Sequence, residues 1–373
     1  MSTKRLVIHH FDPVVPGLGG IDTCIRGLVK YGSEATFSVV GMSRDGVDSN
    51  VRNWRRLLVK NSARKVPTLY VGRLADERTA VPNVARLLFG SLRLAGKIRT
   101  TTPDVVQVHR SESVSLARRL FPTAQLDFFL HEDARNWTPS TNSSRWRRVS
   151  WLHRQVIEHA ATRADRVVCF SPSAVEHLAE RHDHVLSVST WFDPDLFRPV
   201  PRPAGEGVKL VWIGRFDTVK DPLLALEVLG KLPTNYSLTF VGDGSLRADL
   251  QNRITGMQLG RRVEFVGRVS QTDVARLLRA HHLLLMTSHS EGFPRVLIEA
   301  LASGRPVVAT AGADTGKVLV EGMNGGRSAT RDAGELAALV EEAHDASPEA
   351  CSRSVADLSA PAVVGRILGP EHV

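Results

Sequence analysis

Cysteine is scarce in this chain of 373 residues. Only Cys24, Cys169 and Cys351 occur, far apart and with no Cys-x-x-Cys pair. An odd number at such spacing argues against a disulfide framework or a zinc site and for a reducing compartment. Long apolar runs are also missing: no stretch of about 18 apolar residues exists, which excludes a simple transmembrane helix. The opening "MSTKRLVIHHFDP" is too short and too quickly interrupted in its apolar part for a signal peptide. Repeats at solenoid spacing and long low-complexity tracts are absent too. These absences leave an ordinary globular chain, expected in the cytoplasm, whose length at roughly 100–200 residues per domain suggests two domains.

An acidic balance is lacking in the first half. The net charge is +9, and residues 1–200 hold 29 Lys+Arg against 19 Asp+Glu, while residues 201–373 hold 19 against 20. The whole surplus belongs to the first half and suggests an anionic partner there: lipid headgroup, phosphate-bearing acceptor or nucleic acid. No nucleic-acid-reading motif accompanies it, so no nucleic acid is expected as a partner. A basic polyanion-binding protein remains the reading from a different functional class.

What is present is an alternation of short apolar runs with helix-like stretches. In the second half the runs are "KLVWIG" (209–214), "SLTFVG" (237–242), "RVEFVG" (262–267), "HLLLMTS" (282–288) and "RPVVAT" (305–310). In the first half they are "RLVIHHF" (5–11), "ATFSVVGM" (35–42), "DVVQVH" (104–109), "QLDFFLH" (125–131) and "DRVVCFS" (165–171). Such alternation predicts parallel sheets covered on both faces by helices. The Pro- and Gly-rich "DPDLFRPVPRPAGEG" (193–207) reads as the linker. The domains expected are 1–198 and 199–356, with 357–373 a helix returning to the first.

"EGFPRVLIE" (291–299) sets a carboxylate at each end of a helix start. Pro294 suits the first helical position, so Glu291 falls in the preceding loop and Glu299 about a turn and a half inside. Apolar neighbours surround Glu299, and a carboxylate so placed needs partners. Arg215 closes the strand "KLVWIG", Lys220 follows after a short loop, and Asp221-Pro222 predicts a capped helix start. Two cations beside a helix N-terminus suit phosphates.

The segments "SHSEGFPRVLIEALASGRPVVAT", "GRFDTVKDP" and "GLGG" together resemble the retaining nucleotide-sugar glycosyltransferases of family 4. The resemblance covers most of residues 200–330 and scattered pieces of the first half. It implies an α/β fold of the GT-B kind, two Rossmann-like parallel-sheet domains facing each other across a cleft. It also implies a metal-independent, retaining transfer of a sugar from a nucleotide-diphosphate sugar, UDP- or GDP-linked, to a saccharide or lipid-linked acceptor in envelope or polysaccharide biosynthesis. No cofactor and no metal are implied. By the same resemblance Glu299 holds the donor ribose, Glu291 reaches the sugar near its transferred carbon, and Arg215 and Lys220 clamp the diphosphate. Gly292, Phe293, Arg295 and Val296 border that clamp, Arg268 and Val269 flank the base, and Gly19 and Gly20 approach the donor phosphates. His131 matches a histidine near the transferred sugar, and His109, which also ends a strand, is assigned to the acceptor side. Asp193-Pro194-Asp195 reads as structural. A GT-B epimerase or phosphorylase is the nearer alternative, since fold does not decide function.

One segment departs from the family pattern. After "RPVVAT" stands "AGADTGKV", with Ala313-Asp314 and Lys317 where a paired glycine and a glutamate are common. In the first half, "VRNWRRLLVK" (51–60) and "VARLLFGSLRLAGKI" (84–98), the latter with Asn83 as its cap, read as amphipathic helices with basic faces. They suggest contact with anionic lipid and a place on the inner face of the cytoplasmic membrane.

Overall fold

The computed structural model describes residues 2–15, 20–44, 53–75, 81–132, 134 and 150–369. The chain divides into two compact units, Met1–Val188 with Pro361–Val373, and Ser189–Ala360.

The strands of the first unit are β1 (Thr3–Ile8), β2 (Ala35–Ser43), β3 (Arg55–Leu58), β4 (Lys65–Arg73), β5 (Val105–Val108), β6 (Gln125–Leu130), β7 (Arg166–Cys169) and β8 (Val185–Ser187). The helices between them are α1 (Gly20–Tyr31), α2 (Asn83–Arg93), α3 (Ala95–Ile98), α4 (Ser111–Leu120), α5 (Ser150–Arg163) and α6 (Pro172–Ala179). The sheet order is β3-β4-β2-β1-β5-β6-β7-β8, parallel throughout except that β3 runs antiparallel to β4. Strands β5 and β7 are buried at every position, Gln107 and Arg166 included, as strands covered by helices on both faces are. Ile8 pairs with Val108 and Val108 with Phe128, so β1, β5 and β6 run level toward the same carboxyl edge.

Residues 51–60 correct an expectation. Instead of an amphipathic helix, Arg55–Leu58 form the edge strand β3, and Val51 and Arg52 lie outside the described residues. The competing interaction is non-local to the helical pattern. Arg55 pairs with Thr68 and Leu58 with Lys65 around a turn in which Asn61 takes φ 64°. Asn tolerates that left-handed conformation, and charged residues suit an exposed edge. Asn83 does not cap α2. Pro82 holds that position, and the Asn83 amide exchanges two hydrogen bonds of 3.0 Å with the backbone of Ala75. α2 lies close on β4 at Gly90, where a Cβ would stand 2.2 Å from the Val71 carbonyl oxygen.

In the second unit the strands are β9 (Val208–Ile213), β10 (Tyr236–Val241), β11 (Val263–Gly267), β12 (Leu283–Met286), β13 (Val307–Thr310) and β14 (Gly325–Ser328). They form one parallel sheet ordered β11-β10-β9-β12-β13-β14. Helices α7 (Pro222–Lys231), α8 (Arg247–Gly256), α9 (Gln271–Ala280), α10 (Arg295–Ala302), α11 (Ala333–Ala343) and α12 (Pro348–Arg353) accompany it. Two apolar cores hold the unit, one gathering Trp212, Phe216, Phe240 and Leu229, the other Leu284, Leu297, Leu301 and Val307. Phe197, from the Pro-rich stretch, is buried in the latter, so that stretch packs as part of this unit.

The last helix is α13 (Ala360–Leu368), and from Pro361 onward the chain belongs to the first unit. Arg166 ties it down by donating to the Ile367 carbonyl at 2.9 Å. The same guanidinium and that of Arg5 both donate to Asp127, which is fully buried. A buried carboxylate flanked by two guanidinium groups keeps its charge compensated.

Candidate functional site

In each unit the strand order reverses once beside the first strand, between β9 and β12 in the second unit and between β1 and β5 in the first. Such reversals open a crevice at the carboxyl ends of the strands.

In the second unit the loops after β9 and β12 flank this point and are bound to each other. Thr287 Oγ1 accepts from Trp212 Nε1 at 2.9 Å and donates to the Asp221 carbonyl at 2.7 Å, and His289 N donates to the Val219 carbonyl at 2.7 Å. Asp221 caps α7 through Leu224 N, with Pro222 next, as expected. Its carboxylate also holds Arg331, which donates to the Thr287 carbonyl at 2.9 Å.

This frame brings Lys220 and Glu291 into an ion pair. Ser288 Oγ donates to the same carboxylate oxygen at 2.6 Å, while Thr310 Oγ1 holds the Ser288 carbonyl. Arg215 stands apart from the pair. Its side chain is 74% exposed and meets Asp217 at 3.1 Å. Pro294 is the cap of α10 and Arg295 its first residue, one position later than expected. A Cβ on Gly292 would meet nothing within 4 Å, so open space adjoins the loop before that helix. Phe293 and Val296 are half-buried against the core, and Arg295 lies over the Trp191 ring at 5.6 Å.

Glu299 is inside α10 and only 5% exposed. Burial pushes its carboxyl above the usual range, against the opposing pull of Arg295 and of a hydrogen bond from Gln271 Nε2 at 3.0 Å, while Asp193 pushes it further up. Asp193 also accepts from Asp195 N, a tight local turn. Arg268 is exposed and Val269 half-buried at the turn after β11. The departing segment is well held. Asp314 is buried and accepts from Val318 N and Leu319 N, Thr315 Oγ1 donates to the Gly292 carbonyl at 2.5 Å, and a Cβ on Gly316 would strike the Phe293 ring at 2.6 Å. The loop therefore supports the Glu291–Phe293 turn by contacts that need Thr and Gly.

In the first unit the carboxyl edge carries histidines. His109 Nδ1 lies 2.9 Å from His131 Nε2, and His109 Nε2 lies 2.8 Å from the Gln107 amide nitrogen. The His109 ring stacks on Phe129 and His131 on Phe170. Burial holds the imidazoles of His9 and His109 well below their ordinary value and brings His10 down to about 3. All three are therefore neutral at pH 7. Gly20 opens α1, and a Cβ there would meet nothing within 4 Å; Gly19 lies outside the described residues.

The sequence pattern does not single out Ser288, whose partner Glu291 is three residues on, nor Gln271 and Arg331, which join the second-unit cluster through Glu299 and Asp221, 28 and 110 residues away. It also set cysteine aside as a ligand. Among the described residues Cys24, His109 and His131 each offer one ligand atom, all within 4.8 Å of one another.

Residues 195–354 match the family model described as glycosyl transferases group 1. The chain is similar to a glycogen synthase of Mycobacterium tuberculosis, 28% identical over 278 residues that make up 70% of this chain and 65% of the relative. It is also similar to a D-inositol 3-phosphate glycosyltransferase of Mycolicibacterium smegmatis, 30% identical over 53% of this chain and 49% of the relative. The chain thus spans from about half to about two thirds of the length of these relatives. Among solved structures, sucrose-phosphate synthase from Thermosynechococcus elongatus superposes with a TM-score of 0.75 at 19% identity, covering 98% of this chain and 97% of that one. HepE of Anabaena in complex with UDP gives 0.72 at 18% identity, with 98% of both chains covered. These likenesses show a GT-B-like α/β fold of two Rossmann-like parallel-sheet units.

Proposed function

We propose that this chain is a retaining glycosyltransferase that moves a sugar from a nucleotide-diphosphate sugar to a saccharide or lipid-linked acceptor, with no catalytic metal. The observation that carries this reading is the convergence of Lys220 and Ser288 on Glu291, together with the buried Glu299 eight residues on, within the stretch matched by the glycosyl transferase model. The structural neighbour solved in complex with UDP supports a nucleotide-linked donor, which this reading takes as UDP- or GDP-linked.

In this reading Glu299 accepts from the two ribose hydroxyls, which compensate a carboxylate that burial otherwise penalises. Lys220 and Arg215 face the diphosphate. Negative charge grows on the terminal phosphate as the sugar departs, and fixed cations with backbone N–H groups stabilise it more in the transition state than before it. Pro294 adds no N–H, so those donors come from elsewhere in the turn. Ser288 holds Glu291 in place beside the sugar. Departure and attack take place on one face, with the donor phosphate taking the acceptor proton.

Nucleoside diphosphate release from a panel of UDP- and GDP-sugars, measured with chelator present, tests the reading. One donor should be turned over, and Glu291→Gln and Lys220→Ala should each lower the rate by about 10²–10³-fold. A rate that requires added metal, or one that both substitutions leave unchanged, contradicts it.

The acceptor is placed at an anionic membrane surface. Supporting this, α2 presents Phe89 and Leu92, 74% and 51% exposed, beside the exposed Arg93 and Lys97. No helix of the described residues is long and apolar enough to cross a membrane. Sedimentation with anionic vesicles should deplete the protein, neutral vesicles should not, and Phe89→Ser should weaken the binding. Equal recovery in all three contradicts this placement.

A further inference from the structure

We propose that Cys24, His109 and His131 form a binding site for a borderline-soft divalent cation such as zinc at the carboxyl edge of the first unit's sheet. The site goes beyond the transferase reading and stands or falls without it.

Three observations carry the inference. The first is geometry: one ligand atom from each residue lies within 4.8 Å of the other two. Around a tetrahedral zinc, sulfur and nitrogen ligands at about 2.0–2.3 Å from the metal stand about 3.3–3.8 Å apart. The spacing seen here is 2.9 Å for the two imidazole nitrogens and at most 4.8 Å for the rest, so adjustments of the order of an ångström or less close the set. The second is the type of donor. A thiol with two imidazoles is a borderline-soft set that favours zinc and its neighbours over magnesium or calcium.

The third observation is the surroundings of the three. His109 and Cys24 are buried, and Phe129 and Phe170 stack on the two rings, which fixes their planes. Gln107 sits at the far nitrogen of His109, and its Oε1 has no hydrogen-bond partner among the described residues. Turning the amide end for end sets Oε1 on His109 Nε2–H, the outer hydrogen bond that metal-bound histidines commonly make. Nδ1 then directs its lone pair toward His131. His9 stands beside the group, its ring 5.9 Å from that of His109, and neither of its nitrogens has a partner among the described residues. It is the nearest candidate for a fourth ligand. Binding exchanges the Cys24 S–H for a sulfur–metal bond and releases one proton to solvent, so affinity rises with pH.

The test is a Co²⁺ titration of the full chain under a phosphine reductant, followed by Zn²⁺ competition. Expected is one equivalent of Co²⁺ bound with a thiolate-to-cobalt charge-transfer absorption and tetrahedral d–d bands, all displaced by Zn²⁺. The absorption should vanish in Cys24→Ser and persist in Cys169→Ser and Cys351→Ser. No absorption in the wild type, or one that survives Cys24→Ser, overturns the site. His131 is half-buried, so His131→Asn supplies a second variant should Cys24→Ser not fold. In equilibrium dialysis it should lower zinc affinity at least about tenfold, and unchanged affinity overturns the site equally.

Discussion

At Glu299 a carboxylate is buried inside α10, and burial penalises its charged form. Its folded pKa is raised, so the folded state binds a proton more readily than the unfolded chain does. Stability linked to this group is fully present below the unfolded pKa and is lost as pH rises through the folded one. Glu299→Gln should therefore stabilise the ligand-free protein at pH 8 by about 0.5–2 kcal/mol, with a smaller gain at pH 4. Thermal melts of both proteins at the two pH values check this, and an equal or negative shift at pH 8 counts against it. The histidines of the first unit act in the opposite sense. His9, His10 and His109 have folded values depressed from 6.5, so their contribution is present above that value and is lost as pH falls below it. The melting temperature should fall between pH 7 and pH 5, and His9→Gln should reduce the slope of that fall.

The elements differ in how much of each can be read from its own residues. Buried parallel strands announce themselves as apolar runs, which is why ten strands of the two sheets coincide with runs in the sequence. β4 holds only the short run Leu69-Tyr70-Val71 after Pro67, and β3, β8 and β14 carry no such signal. β3 is a short basic edge strand defined by its partner β4, and β14 includes two glycines, so neither shows an apolar run. The α10 helix and its two glutamates were readable because Pro294 and the apolar spacing are local. Gln271 and the thiol of Cys24 were not, because each owes its place to a partner brought near only by the fold. Long-range polar pairing also joins α13 to its sheet. Asp127 is fully buried between Arg5 and Arg166, and Arg166 reaches Ile367. Asp127→Ala leaves two buried guanidinium groups without a counter-charge and should lower the unfolding free energy by about 3–5 kcal/mol. Urea denaturation followed by fluorescence measures it, and a loss under about 1 kcal/mol would show that the triad is not what holds this edge.

On the scale of the whole molecule, both units gather their chemistry-bearing residues where their strand order reverses, as parallel α/β sheets dictate. The first unit presents imidazoles and a thiol there, and the second presents a lysine, two glutamates and the loops that hold them. The second unit is also the part matched by the glycosyl transferase model. That match and the buried Glu299 make nucleotide binding the property on which the functional account rests. Isothermal titration of UDP and GDP into the wild type and Glu299→Ala, with EDTA in the buffer, tests it most directly. The expected result is that one of the two nucleotides binds the wild type and binds Glu299→Ala about 10–100-fold more weakly, as loss of hydrogen bonds to a charged acceptor implies. Binding of neither nucleotide, or equal binding to both proteins, would contradict the account.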